Sequence, residues 1–174
     1  MKVRDLKHSE YLAYFSTYIS KVSDQDLIQG LMDNKISTVK LLESIAENVY
    51  NFRYSEDKWT IKELVQHLID TERIFSTRAL RIARNDKTEL PGFDQDDFIP
   101  YSGANNRNKK EIINDYITSR NNTISLFNSF SNEMLLRIGF VSNHQLSTRA
   151  AGFIIIGYEN HHIEILKKQY LQNN

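Results

Sequence analysis

With no cysteine in 174 residues, thiolate sites and cysteine nucleophiles are excluded, and any soft-metal chemistry falls to the five histidines. His162 is the most informative of them. Ala151, Ile155, Tyr158, His162, Ile165 and Gln169 recur at alternating spacings of four and three, which turns His162 toward a core. A buried imidazole has two ring nitrogens to satisfy. A metal on one and an acceptor on the other would do so, and so would a hydrogen bond to Tyr158 one turn earlier or to a carboxylate. His67, in the string Val65-Gln66-His67-Leu68-Ile69-Asp70-Thr71-Glu72, falls on the flank of its apolar stripe, where a solvated or hydrogen-bonded role competes with ligation. His161 lies ~100° around the helix from His162 and cannot share a metal with it without unwinding.

Glu72 occupies the middle of an apolar stripe between Leu68 and Phe75. A carboxylate there either pairs, with Arg149 or an arginine of its own helix as candidates, or carries a raised pKa suited to acid–base work. Asp94, Asp96 and Asp97 lack the glycine and bidentate glutamate of a calcium loop and read as a solvated acidic turn. Arg73, Arg78, Arg81 and Arg84, mixed with Asp70, Glu72 and Asp86, read as a solvated, internally paired face. Glycine-rich phosphate loops, serine elbows and His-Glu-x-x-His are all missing.

Long helices must position these residues, because both prolines, Pro91 and Pro100, lie in one stretch. The first helix is expected to start near Ser23 and Asp24 and to bury Ile28, Met32, Ile36, Val39, Leu42, Ala46 and Val49. The second and third open with capping-box pairs, Thr60 with Glu63 and Asn108 with Glu111. The fourth begins near Ser147 and runs to about Leu171, apolar on every side through Phe153 to Ile156. No alternation long enough for a strand is visible. The reading is all-α: one domain, 1–174, built as a four-helix bundle. Its N-terminal arm, 1–22, packs Tyr11, Tyr14, Phe15 and Tyr18 over the bundle. A crossover loop, 84–108, is long enough to start the third helix parallel to the second, with Phe93, Phe98 and Tyr101 as its anchors.

Twenty-two Lys and Arg balance twenty-two Asp and Glu, so nothing supports a nucleic-acid footprint. The longest aliphatic run, Ile154 to Ile156, is far short of the ~20 residues of a membrane span. Met1 to Glu10 lacks the apolar stretch of a signal peptide. Cytoplasmic localisation is expected.

Several strings together resemble the DinB-like superfamily. They are Lys58-Trp59-Thr60-Ile61-Lys62-Glu63-Leu64-Val65-Gln66-His67-Leu68-Ile69-Asp70-Thr71-Glu72-Arg73-Ile74-Phe75, Arg78 through Arg84, Leu90-Pro91-Gly92-Phe93-Asp94, and Ser147-Thr148-Arg149-Ala150 through His161-His162. The resemblance spans nearly the whole chain. It implies an up-down-down-up bundle, often a homodimer, with a divalent metal such as zinc or nickel on three histidines. His67 matches the first of these and His162 the last. The middle position is Tyr158, which leaves either a third ligand or a hydrogen-bond partner there and makes metal binding weak or absent. Relatives implied by the resemblance include thiol-dependent transferases and isomerases. Two readings stay open: a metal-dependent small-molecule enzyme of transferase or hydrolase type, and a non-catalytic bundle with a degenerate site that binds a small molecule or a partner.

Overall fold

The computed structural model describes residues 1–172. After three short 3-10 turns, the chain forms α1 (Ser16–Ile19), α2 (Leu27–Ser44), α3 (Ile61–Ala83), α4 (Lys109–Asn128) and α5 (Asn132–Leu136). A hairpin of β1 (Ile138–Val141) and β2 (His144–Ser147) leads into α6 (Thr148–Ile165), which continues as a π-helical turn over Leu166–Tyr170.

α3 and α4 begin where the capping boxes place them. Thr60 Oγ1 accepts from the Glu63 amide at 3.1 Å while the Glu63 carboxylate accepts from the Thr60 amide at 2.7 Å, and Asn108 and Glu111 repeat the exchange. Ser147 caps α6 through the Ala150 amide at 3.1 Å. α2 starts two residues later than expected, on Asp26, whose carboxylate accepts from the Ile28 amide and binds the Met1 ammonium. Asp24 is drawn off by Arg4 at 3.0 Å, so it has no cap to make.

Cross-helix bonds fix the directions of the four long helices. Arg73 reaches Asp115, Glu72 reaches Arg120 and Ser76 reaches Thr123, so α3 and α4 run parallel. Asn34 bonds Asn160 and Gly30 lies against Ile156, so α2 and α6 run parallel too. His67 near the start of α3 meets Tyr158 near the end of α6, which makes those two antiparallel. The bundle is up-down-down-up, with α2 and α3 at opposite corners, each packed on both α4 and α6.

The buried face of α2 is Leu27, Gly30, Leu31, Asn34, Thr38 and Leu42, whereas Ile36 is 63% exposed and Met32 is also exposed. The face turned because Asn34 and Thr38 bond the buried Glu159 of α6, an attraction hydropathy spacing does not register. The hairpin was also unforeseen. Its turn, Ser142-Asn143, holds both residues at positive φ, 48° and 64°, the primed geometry that suits a two-residue loop. Each strand has only four residues, too few for alternation to show.

The N-terminal arm packs over the bundle. Phe15 meets Phe75 edge to face at 5.6 Å, Tyr18 lies 4.8 Å from the Tyr158 ring, and the buried Glu10 carboxylate bonds Ser147 and Arg149. In the crossover loop the buried residues are Leu90, Ile99 and Ala104, not Phe98 and Tyr101, which are exposed. Among the described residues no helix is long and apolar enough to cross a membrane.

Gly157 sets how closely the arm approaches α6, since a Cβ there would stand 2.1 Å from the Tyr18 carbonyl oxygen. Gly157→Ala is therefore expected to cost about 1–3 kcal/mol and lower the melting temperature by several degrees. An unchanged melting curve would show that the arm does not hold this contact.

Candidate functional site

His67 projects from α3 two turns after its cap, and Tyr158 and His162 project from α6 one turn apart. All three side chains are buried. The His67 and His162 ring centres are 5.0 Å apart, and Tyr158 lies 4.6 Å from His162 and 5.5 Å from His67. His67 Nε2 meets Tyr158 Oη at 2.8 Å, and the same phenol donates to Gln95 Oε1 from the crossover loop. Trp59, just before α3, covers the His67 ring at 4.7 Å.

Proton positions follow from these partners. The single phenolic proton of Tyr158 goes to Gln95, which can only accept there, so His67 must donate from a protonated Nε2. Burial pushes His67 down to about 4. Burial, with a smaller contribution from His67 and His161, pushes His162 down to about 3. Both rings are therefore neutral near pH 7. Burial raises the Tyr158 phenol above its ordinary value, with Tyr18 and Tyr14 adding to the effect, so it stays protonated.

Spacing alone puts His67 on the flank of its apolar stripe, yet it is buried, because nearly the whole first half of α3 is enclosed. His161 is only partly buried and stacks edge-on against Tyr18 at 5.2 Å, with its ring centre also 5.2 Å from that of His162. Asp94, Asp96 and Asp97 are exposed, and among the described residues no three His, Cys, Asp or Glu side chains gather as a metal cage.

Glu72 is buried, but its partner is neither Arg149 nor an arginine of α3. Arg120 of α4 receives it bidentately, Nε to Oε1 at 2.8 Å and Nη2 to Oε2 at 3.0 Å. Arg149 serves Glu10 instead. Arg120 also pairs with Glu159 of α6 and donates to the Leu31 carbonyl of α2 at 3.2 Å. Glu159 further accepts from Thr38 and Tyr116, each at 2.6 Å. Burial would raise Glu159, but the Arg120 charge and these hydrogen bonds leave its carboxyl below the ordinary value. Sequence reasoning missed Arg120 and Glu159. The signal was present in Ile113, Tyr116, Arg120, Thr123 and Phe127, a buried stripe with a cation in its middle.

Beside this centre opens a cleft of about 380 Å³ between the arm, α3, the crossover loop and the hairpin. Tyr158, Gln95 and Thr71 line it with Phe15, Phe75 and Phe93, while His67 and His162 stand behind Tyr158. The arrangement puts one neutral phenol at the wall of this cleft and two neutral imidazoles behind it.

The sequence pattern of the DinB superfamily matches residues 37–166. Comparison with curated proteins finds no match. Among solved structures, YfiT from Bacillus subtilis, described as a probable metal-dependent hydrolase with an unusual four-helix bundle topology, superposes with a TM-score of 0.70 at 15% identity, covering 94% of this chain and 91% of that one. The mycothiol-dependent maleylpyruvate isomerase superposes with a TM-score of 0.65 at 9% identity, covering 98% of this chain and 63% of that one. At these identities the likeness is one of fold.

Replacing Arg120 by Met leaves Glu72 and Glu159 buried without a cation. A loss of about 3–5 kcal/mol is expected in urea unfolding at neutral pH, and a loss below about 1 kcal/mol would contradict the role given to this triad.

Proposed function

Because the chain belongs to the DinB superfamily, we propose that it is a small-molecule enzyme of the metal-dependent transferase or hydrolase type. Its substrate occupies the cleft before Tyr158, and His67 and His162 are the ligands of an exchangeable divalent ion. The observation that carries this reading is the pair of buried neutral imidazoles with ring centres 5.0 Å apart. Two imidazoles on one tetrahedral ion, with metal–nitrogen bonds of about 2.0–2.1 Å, put their ring centres roughly 5 Å apart.

The donor set fits such an ion in part. Two neutral histidines suit zinc or nickel, but the third place belongs to a phenol that burial keeps protonated. The proton on His67 Nε2 also has to leave before that nitrogen can ligate, which breaks the bond to Tyr158. Weak, exchangeable binding follows. An ion, when bound, supplies Lewis acidity to a water or a small thiol. The chain supplies the rest. Tyr158 presents a neutral hydroxyl at the cleft wall, Gln95 orients it, Glu159 fixes the helix turn that carries it, and Phe15, Phe75 and Phe93 supply aromatic surface for the substrate.

A second reading has one specific observation in its favour. His67 Nε2, Tyr158 Oη and Gln95 Oε1 are paired with one another with no ion at all, which suits a bundle that binds a small molecule or partner without catalysis. Calorimetric titration with zinc and nickel separates the two. The first reading expects one weak ion per chain, lost in His67→Ala and bound about ten- to a hundredfold more tightly in Tyr158→His. No binding by the unmodified protein at millimolar metal, with binding gained in Tyr158→His, would overturn it in favour of the second.

A further inference from the structure

The arginine row of α3 leaves one buried cation without an anion. Arg73 pairs with Asp70 and Asp115, Arg81 pairs with Asp86, and Arg84 is exposed. Arg78 is 7% exposed, yet among the described residues it has no carboxylate partner. Its Nη2 donates to the Pro91 carbonyl at 2.8 Å, and its guanidinium lies 4.9 Å from the Phe75 ring centre and 5.3 Å from that of Phe93. A guanidinium carries five N–H donors, and this contact uses one nitrogen. An isolated charge taken out of water is costly unless an anion or further acceptors meet it.

Two turns earlier on the same helix, Thr71 is 3% exposed and its hydroxyl has no hydrogen-bond partner among the described residues. Arg78 and Thr71 line the same 380 Å³ cleft, whose other walls include Phe15, Phe75 and Phe93. Unsatisfied buried polar groups are rare in folded proteins. The Thr71 oxygen is itself enclosed, whereas the Arg78 guanidinium lines the cleft with only one of its nitrogens engaged.

We propose that this cleft binds a small organic carboxylate, its two oxygens received by the Arg78 guanidinium and its apolar body held by the phenylalanines. A planar guanidinium matches a carboxylate in shape as well as charge. Asp94 also lines the cleft and would repel a dianion, which favours a singly charged ligand. The carboxylate site is a subsite of the cleft read above as the substrate pocket and depends on that reading, but it needs no ion at His67 and His162.

The test is titration of metal-free protein, with chelator present, by 3-phenylpropanoate and by the uncharged 3-phenylpropanamide. The acid is expected to bind at least about tenfold more tightly than the amide, as hydrogen bonds to a charged group require. The preference should vanish in Arg78→Gln and persist in part in Arg78→Lys. Equal affinity for acid and amide in the unmodified protein, or no saturable binding of the acid, overturns the proposal without relying on any variant to fold. A preference that survives in folded Arg78→Gln overturns it as well. Since chelator removes any ion, failure of metal binding leaves this result untouched, and an ion-binding protein indifferent to the ligand's charge loses only the carboxylate site.

Discussion

At the centre of the bundle a single guanidinium holds two carboxylates out of water. Arg120 of α4 binds Glu72 of α3 and Glu159 of α6, while Leu31, Asn34 and Thr38 of α2 complete the set. All four long helices contribute, so their relative rotation is set by one polar cluster as much as by apolar packing. Two negative charges against one positive leave the centre anionic. Such a group is stable only where hydrogen bonds satisfy the remaining lone pairs, and Tyr116, Thr38 and Asn34 do so.

The site inherits its geometry from that cluster. Glu159 is locked, so its neighbour Tyr158 is locked, and His162 one turn on is placed opposite His67. Gly157 on the other side lets the arm's backbone close in, which brings Tyr18 against the Tyr158 ring. A histidine at 158 would make three neutral imidazoles converge. The tyrosine has a protonated hydroxyl there instead of a lone pair, and it forms a hydrogen-bonded chain with His67 and Gln95.

Much of this was legible in the sequence. Capping boxes at Thr60 and Asn108 and the cap at Ser147 fixed three helix starts, and the alternating spacing through Tyr158 and His162 assigned the buried face of α6. The bundle class and its parallel α3 and α4 followed from the long crossover between them together with the family resemblance. What stayed hidden was polar. Asn34 and Thr38 look like surface residues until Glu159 is known to be buried opposite them. Arg120 looks like a helix-surface cation, and Glu72 could not be assigned its partner across 48 positions. Arg78 sat in a row whose other members are ordinary ion pairs or exposed, so periodicity gave no reason to single it out. Long-range pairing between charged groups leaves no local pattern in sequence, and a hairpin of two four-residue strands leaves almost none.

The account turns on the state of one imidazole, and nitrogen-detected NMR of the histidine side chains in metal-free protein reads it directly. Neutral rings at His67 and His162 down to about pH 5, with the His67 proton on Nε2 facing Tyr158, are the predicted result. A His67 ring protonated on Nδ1 alone, or doubly protonated at neutral pH, would contradict it.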